Sequence, residues 1–276
     1  MERHQRHRRP GGVEILIHKR IAHPELLDLL ADPRRIWERE EVVTLHRGKN
    51  RFGHGPLRVG LDRVEMFIKE FCPKSPLDTA LSLFRPSRAT RSFVAGLEMI
   101  RRGLPTPEPL AAITRRRARW VRGCWLLTEW LPKTVSLRSL SDHPERHADV
   151  LQVWPWERIL ETLGGLLRAM DDARVCHRDL SLRNVLLDLS ALSSARSPQL
   201  WIIDLNRVLT LERDQWSMAM ASRNIERLRL IPEDLEHVLR AHFPDPREFE
   251  AHADRFRRAR WRHRLYKRLK KLPRGG

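Results

Sequence analysis

The segment VCHRDLSLRNVLLD, residues 175–188, constrains this chain more than any other stretch. It places His177, Arg178 and Asp179 side by side, with Asn184 five positions after the Asp, between two aliphatic runs. Asp and Asn are poor residues for a packed strand, so burial does not account for them. The segment therefore predicts a polar functional loop between two apolar segments.

Phosphoryl transfer from a nucleotide requires four polar groups of this kind in one place. A carboxylate orients the acceptor hydroxyl and takes its proton, an amide oxygen and a second carboxylate hold magnesium, and a strand lysine grips the phosphates. The chain supplies these residue types in the order of the kinase pattern, as Lys69, Asp179, Asn184 and Asp204. Each residue alone has a structural explanation, and it is the joint order and spacing that predict the chemistry.

Hydrophobic periodicity predicts that the first part of the chain is rich in strands. Residues 42–71 are strand-like, with apolar Met66 and Ile68 alternating with a more polar face that includes Lys69. Residues 88–102 have helical spacing, and LAAI and CWLLTEWL, separated by RRRAR, predict a hairpin. We expect one main helix among these strands.

The second part of the chain is mainly helical by the same criterion. WERILETLGGLLRAMDDA is the clearest helix, and further helical segments are expected around 222–242 and 247–272. The whole pattern predicts an α+β fold with three regions: a flexible basic arm at 1–12, a small strand-rich N-lobe at 13–131, and a larger helical C-lobe at 132–276.

Four stretches within residues 45–232 give the chain a family resemblance: SRATRSFVAGLEMIRRGLPTPEPLAA, HRDLSLRNVLLD, WIIDLNRV and RNIERLRL. With them the chain resembles the protein-kinase-like superfamily and, more narrowly, the lipopolysaccharide core kinases. That family phosphorylates heptose or Kdo sugars of the inner core. The resemblance implies a protein-kinase-like two-lobed fold and a kinase that uses ATP and Mg²⁺ to phosphorylate an alcohol group.

The resemblance also implies a role for individual residues of this sequence. Asp179 becomes the catalytic base, and Asn184 and Asp204 become the magnesium ligands. Lys69 becomes the contact to the α- and β-phosphates. His177 becomes a scaffold residue that braces the catalytic loop.

Further site residues are predicted from their positions. Arg183 lies four residues after the base, a spacing from which a cation reaches the transferring phosphoryl group, whereas Ser181 stands where serine/threonine protein kinases carry Lys. Glu129, near the end of the CWLLTEWL segment, is a further predicted nucleotide-binding residue. Three glycines of HRGKNRFGHG fit either a phosphate-binding loop or a plain flexible turn: Gly48, Gly53 and Gly55.

The chain departs from the kinase pattern at the helix residue that normally pairs with the strand lysine. Ser92 stands where the resemblance implies a Glu, and Glu98 lies too far round the helix to replace it. Three explanations stay open: a different helix register, another acid such as Glu70 or Asp204 holding Lys69, or reduced activity. The metal motif reads Asp-Leu-Asn, and RNIERLRL follows without a long activation segment, which favours a sugar or small-molecule acceptor over a peptide.

The formal net charge is +18, and the 53 basic residues include 8 lysines, which leaves 45 arginines. Such a charge attracts anions, although a GC-rich genome explains the arginine content equally well. Residues 255–274 contain eleven Lys or Arg, with Trp261, Leu265 and Leu269 on one helical stripe. This tail predicts either a helix on an anionic membrane surface or a terminal helix packed on its own lobe.

The location and the partners follow from what the sequence contains and lacks. No apolar run has signal-peptide or membrane-spanning length, and the three cysteines suggest no disulfide framework. We expect a cytoplasmic protein, with peripheral contact to the inner face of the cytoplasmic membrane, that acts on an anionic glycolipid or sugar. No specific nucleic acid is expected. Alternatives are a phosphotransferase for another acceptor, protein or small molecule, and a non-catalytic scaffold.

Overall fold

The computed structural model describes residues 4–47, 50–72, 83, 85–118, 120–194, 197–250 and 252. The chain divides into two compact units. The first unit comprises Met1–Pro132 and Ile202–Val208, and the second comprises Lys133–Trp201 and Leu209–Gly276. The first unit contains strands and a helix before residue 43 that the sequence did not predict.

The first unit contains a seven-stranded sheet in which every neighbouring pair is antiparallel. Its order is β1-β2-β6-β7-β5-β4-β3. The strands are β1 His4–Arg9, β2 Val13–His18, β3 Val43–Arg47, β4 Asn50–Val59, β5 Asp62–Phe71, β6 Pro109–Arg117 and β7 Trp120–Glu129. Among the described residues of this unit, two α-helices accompany the sheet, α1 Pro24–Ala31 and α2 Arg88–Arg101.

The alternation of side chains along the strands places an apolar layer on each face of this sheet. Met66 and Ile68 of β5 are fully buried in the layer that includes α1. Phe71, on the opposite face, packs in the layer that includes Phe93 of α2. Lys69 lies two residues before Phe71, so it belongs to the α2 face. The predicted alternation, the helix at 88–102 and the β6–β7 hairpin are therefore confirmed.

The N-terminal residues correct one expectation. Residues His4–Arg9 form strand β1, paired in register with β2, and are not a flexible arm. The chain reverses at Pro10–Gly12, where Gly11 and Gly12 have φ of 74° and 73°, values that glycine adopts without steric cost. The Pro-Gly-Gly sequence is thus a hairpin turn. The basic composition of β1 suits a strand at a sheet edge.

The second unit is built mainly from helices around two short antiparallel strands, β8 Thr134–Ser136 and β10 Val185–Asp188. Strand β11 Gln199–Ile202 borders β10. The remaining strands are β9 Val175–His177 and β12 Val208–Thr210. The helices are α3 Leu137–Asp142, α4 Ala148–Val153, α5 Trp156–Asp172, α6 Met218–Leu228 and α7 Pro232–His242. Helix α5 confirms the WERILETLGGLLRAMDDA prediction.

The helical segment expected at 222–242 is two helices. Helix α6 ends before Arg229, which has a left-handed φ of 57°, and Pro232 begins α7. A proline at this position lacks the N–H that a continuous helix needs. Residues 246–250 are helical, whereas the basic tail 255–274 lies outside the described residues. Within the described parts of the chain, no helix combines the length and the apolar character that crossing a membrane requires.

Candidate active site

The first unit brings Lys69 and Asp204 together across 135 positions of sequence. Lys69 Nζ donates to Asp204 Oδ1 at 2.9 Å, with side chains that are 16% and 30% exposed. Lys69 Nζ also lies 5.1 Å from the centre of the Phe71 ring. This ion pair selects one of the three explanations left open by the sequence, because the acid that holds the strand lysine is Asp204.

The position of Asp204 is fixed by the chain on both sides of it. Ile202 N–H donates to Pro105 O at 2.9 Å, and Thr106 Oγ1 donates to Ile202 O at 2.7 Å. Asp204 itself has a left-handed φ of 62°, a conformation that Asp tolerates better than most residues. Asn206 Nδ2 donates to Asp204 Oδ1 at 2.6 Å. One carboxylate oxygen therefore receives both the ammonium of Lys69 and an amide.

Helix α2 contacts the segment after Asp204 at a glycine. A Cβ on Gly96 would lie 2.5 Å from Pro109 Cγ and 3.4 Å from Leu205 Cδ1. Leu205 is buried, and its neighbour in sequence is the proposed metal ligand. A larger residue at position 96 would displace the segment, so Gly96 belongs to the packing that positions Asp204. The sequence suggested no role for this residue.

Ser92 and Glu98, the residues of α2 discussed in connection with Lys69, hydrogen-bond to other residues of the α2 segment. Ser92 is buried, and its Oγ donates to Arg88 O at 2.9 Å. Glu98 accepts from Arg101 Nη2 and from Arg102 Nε, each at 2.6 Å. These bonds keep Glu98 within its own helix, so it does not substitute for the missing carboxylate.

The Glu98 cluster gives a pH-dependent prediction for stability. Hydrogen bonds from Arg101, partly opposed by burial and reinforced by Arg102, lower the pKa of Glu98 from 4.5 to about 2. A depressed folded-state pKa stabilises the protein above about pH 4.5, and this contribution is lost as the pH falls towards 2. We expect Glu98→Gln to cost at most about 3 kcal/mol of unfolding free energy at neutral pH, less after solvent screening.

The measurement for Glu98 is urea denaturation at several pH values. The difference between wild type and Glu98→Gln should be largest at neutral pH and should shrink below about pH 4.5. Glu161→Gln, a change at an exposed helical carboxylate, is the control. A Glu98→Gln difference that stays constant from neutral pH to about pH 3 would contradict the assignment.

The second unit brings Asp179 and Asn184 together in one loop. Asn184 Nδ2 donates to the backbone oxygen of Asp179 at 2.9 Å, and Asn184 N–H donates to Ser181 O at 2.8 Å. Asp179 N–H donates to His177 Nδ1 at 3.2 Å. The loop is thus closed by its own backbone and by the two residue types that the HRDLSLRN motif supplies.

His177 is fully buried and belongs to the scaffold of this loop, as the family resemblance implies. The backbone N–H of His177 donates to Asn224 Oδ1 at 2.9 Å, and Asn224 Nδ2 donates to the backbone oxygen of Val175 at 2.9 Å. The amide of Asn224 therefore satisfies two backbone groups of strand β9 from helix α6. Sequence reasoning missed this residue, and the only signal in the sequence was its place in the RNIERLRL stretch.

Replacing Asn224 by Ala is expected to destabilise the protein by about 2–4 kcal/mol, because it leaves two buried backbone groups without a partner. It should also lower kcat, since the loop that carries Asp179 loses its brace. Asn224→Asp keeps the acceptor but loses the donor, so an intermediate loss is expected. Denaturation and steady-state kinetics measure both effects, with exposed Glu226→Gln on the same helix as the control. Equal behaviour of Asn224→Ala and Glu226→Gln would refute the brace.

Two further predicted site residues, Arg183 and Glu129, lie at exposed positions. Arg183 is exposed in a short 3₁₀ turn, Leu182–Asn184. Glu129 is exposed at the end of β7, and its N–H donates to Glu108 O at 2.9 Å. Their predicted functions stay predictions.

The glycines correct the expectation of a loop over HRGKNRFGHG. Gly53 and Gly55 lie inside strand β4, and Gly48 lies outside the described residues. A Cβ on Gly53 would lie 2.3 Å from Val43 O, and a Cβ on Gly55 would lie 2.8 Å from Glu41 O. Both glycines therefore permit a close approach of neighbouring backbone and do not form a flexible turn.

A row of aromatic rings on the Lys69 face of the sheet was also missed from the sequence. Phe67 lies two residues before Lys69, with ring-centre distances of 5.9 Å to Phe52 and 6.2 Å to Trp130. His54 stacks on Trp130 at 4.3 Å. Flat apolar rings beside an ammonium group suit a ligand with an aromatic base and a phosphate chain.

The candidate residues thus form two pairs, one in each unit: Lys69 with Asp204, and Asp179 with Asn184. Asp204 and Asn184 offer a carboxylate and an amide oxygen, which are ligand types that Mg²⁺ accepts. Because Asn184 Nδ2 is bonded to Asp179 O, the amide oxygen is the atom left for a metal. Each unit therefore supplies one oxygen of a type that Mg²⁺ accepts.

Comparison with known proteins agrees with these features. The model of the lipopolysaccharide kinase (Kdo/WaaP) family matches residues 75–241. The 3-deoxy-D-manno-octulosonic acid kinase of Xanthomonas oryzae pv. oryzae (strain PXO99A) is 31% identical over 150 residues, 53% of this chain and 51% of that protein. The protein of the same name from Haemophilus influenzae (strain 86-028NP) is 28% identical over 153 residues, 53% of this chain and 55% of that protein. The chain spans about half the length of the curated relatives it matches.

A solved structure, WaaP in complex with acyl carrier protein, is similar in fold. The TM-score is 0.59 at 21% identity, over 90% of this chain and 97% of that chain. The predicted protein-kinase-like α+β fold is therefore confirmed.

Proposed function

The chain belongs to the lipopolysaccharide kinase (Kdo/WaaP) family, and from this premise we propose that it transfers the γ-phosphoryl group of ATP to a sugar hydroxyl of the lipopolysaccharide inner core, on heptose or Kdo, or of a related glycolipid. The names of the curated relatives favour Kdo. The observation that carries the proposal is the Lys69–Asp204 ion pair, because it restores a partner for the strand lysine where the helix has only Ser92.

The proposed reaction assigns one task to each residue. Asp179 accepts the proton of the sugar hydroxyl while the hydroxyl oxygen bonds to the γ-phosphorus and the bond to the departing ADP oxygen breaks. Lys69 holds the α- and β-phosphates, and Arg183 offsets charge on the transferring group. Asn184 and Asp204 are the proposed ligands of a magnesium ion, which would neutralise charge on the phosphate oxygens.

The acceptor class is supported by the short connection after the metal motif. Helix α6, which contains RNIERL, begins at Met218, soon after Asp204. A protein kinase needs a longer activation segment as a platform for an extended peptide, so a sugar suits this chain better. We propose that the reaction takes place at the cytoplasmic face of the membrane, where the protein makes peripheral contact with its anionic glycolipid.

The test is a transfer assay with purified protein, Mg²⁺, labelled ATP and three acceptors: a Kdo-bearing lipid A precursor, a generic basic protein, and an aminoglycoside. Phosphate transfer to the glycolipid alone supports the proposal. Transfer to the protein or the aminoglycoside instead would assign another acceptor. Nucleotide binding without transfer to any acceptor would favour the second candidate, a non-catalytic scaffold. The observation behind this candidate is that Ser92 stands where the kinase pattern has a Glu.

A further inference from the structure

Three segments of the first unit meet at one end of its sheet. They are the β1–β2 turn (8–13), the start of α2 (85–91) and the tip of the β6–β7 hairpin (115–122). A Cβ on Gly12 would lie 2.3 Å from Arg116 O, so the first turn packs directly on the end of β6. Arg116 Nη2 donates to Arg85 O at 3.4 Å, which joins the start of α2 to the same place. We call these three segments the arginine end.

The described residues of the arginine end include nine arginines and no carboxylate: Arg8, Arg9, Arg85, Arg88, Arg91, Arg115, Arg116, Arg117 and Arg122. Two acids from outside lie beside it: Asp28 Oδ1 of α1 lies 3.1 Å from Arg9 Nη2, and Glu14, opposite Arg8 in the register of β1 and β2, pairs with Arg6. Where Arg88 and Arg116 donate to backbone oxygens, those bonds use the guanidinium donors without cancelling their charge.

Four of these arginines are exposed and carry the inference: Arg8, Arg85, Arg117 and Arg122. They come from all three segments, so the charge is a property of the folded end and not of one basic run. Guanidinium groups that the fold holds near one another repel, and an anionic partner relieves that repulsion. The guanidinium fork is also well matched to phosphate oxygens.

The hairpin tip distinguishes between kinds of anionic partner. Trp120 is half-buried there, between Arg117 and Arg122, whereas Val121 packs against the layer that includes Phe93. A tryptophan among arginines suits the boundary of a bilayer, where the indole lies at the level of the headgroups and the cations meet their phosphates. Because the proposed acceptor is a glycolipid, an anionic membrane is the partner that accounts for both the arginines and the tryptophan.

We propose that the arginine end is a docking surface for an anionic membrane, with the guanidinium groups of Arg8, Arg85, Arg117 and Arg122 on the lipid phosphates and Trp120 at the headgroup level. This inference rests on the proposed function in one respect, namely that the acceptor is a glycolipid and therefore lies in a membrane. It locates membrane contact on the first unit, at a surface separate in sequence from the basic tail 255–274.

The test compares two variants of the full chain that carry the same charge change. The first replaces Arg8, Arg85, Arg117 and Arg122 by Gln. The control replaces four other exposed arginines by Gln: Arg58, Arg158, Arg168 and Arg213. Binding is measured by flotation with vesicles of phosphatidylcholine containing phosphatidylglycerol, and with vesicles of phosphatidylcholine alone. A third variant, Trp120→Ser, probes the apolar contact, and equal thermal midpoints confirm that all variants fold.

We expect the arginine-end variant to bind the anionic vesicles at least about tenfold more weakly than wild type, and the control to stay within about threefold. Trp120→Ser should bind the anionic vesicles at least about threefold more weakly than wild type. Wild type should bind the neutral vesicles only weakly. Equal binding by the two Gln variants would overturn the proposal, since membrane contact would then belong to the tail or to net charge. Loss of wild-type binding on adding inorganic phosphate at matched ionic strength would also overturn it in favour of a simple phosphate site.

Transfer to a water-soluble, deacylated Kdo acceptor separates this inference from the proposed function. The arginine-end variant should retain wild-type kcat on that acceptor and lose rate only on the acceptor embedded in anionic vesicles. Reduced kcat on the soluble acceptor would contradict a docking role. If wild type phosphorylates neither acceptor, the proposed function fails, while the vesicle-binding result still decides the docking surface.

Discussion

Replacing Asp179 by Asn is expected to lower kcat by at least about a thousandfold while leaving ATP affinity within a few-fold of wild type. The carboxylate takes the proton of the acceptor hydroxyl, and an amide cannot. The substitution should leave the loop intact, because the bonds to His177 Nδ1 and from Asn184 Nδ2 use backbone atoms of Asp179 that Asn retains. Steady-state kinetics with saturating ATP and calorimetric titration of ATP measure the two quantities.

The control for this prediction is Asp149→Asn, which removes an exposed carboxylate of the second unit. Its kcat should match that of wild type. If Asp179→Asn keeps more than about a tenth of the wild-type kcat, the residue is not the general base. If it instead loses ATP affinity in proportion to rate, its role concerns the nucleotide and not the acceptor.

Replacing Asp204 by Asn is expected to weaken Mg²⁺-dependent nucleotide binding at least about tenfold, or about 1.4 kcal/mol, because the amide lacks the negative charge that the proposed metal ligand supplies. The change leaves the Lys69 ammonium without its carboxylate at 2.9 Å and removes a metal ligand. Calorimetric titration of nucleotide with and without Mg²⁺ measures the effect. The loss should be much smaller when Mg²⁺ is absent.

Two further variants test whether Lys69 and Asp204 act as a unit. Lys69→Met alone should also weaken nucleotide binding, and the double variant should lose less than the sum of the two single losses, since the partners share one interaction. Asn206→Ala removes the uncharged donor to the same oxygen and should cost less than Asp204→Asn. Strict additivity of Lys69→Met and Asp204→Asn would show that the ion pair has no part in nucleotide binding.

Local patterns were sufficient to predict the parts of the fold in which sequence neighbours share one environment. The alternation of Met66 and Ile68 placed Lys69 on the correct face of β5, because side-chain direction in a strand repeats every second residue. The HRDLSLRN spacing likewise predicted a loop in which Asp179 and Asn184 meet, since the Asn184 side chain, five residues on, can reach the backbone oxygen of Asp179.

Features that depend on distant parts of the chain were not predictable in the same way. The acid that holds Lys69 is Asp204, 135 positions away, and no local pattern distinguishes it from Glu70. The brace on His177 comes from Asn224, 47 positions away. Strand β1 lacks an apolar face, so pairing with β2 after the Pro10–Gly12 turn, and not its own composition, makes it a strand.

The most direct test of the kinase assignment is the intact mass of the core glycolipid from three strains of the cell that carries this gene. These are the wild type, a strain without the gene, and a strain in which the gene encodes Asp179→Asn. We predict one phosphate more per core in the wild type than in the other two strains, whose masses should agree. An identical core mass in all three strains would contradict the assignment.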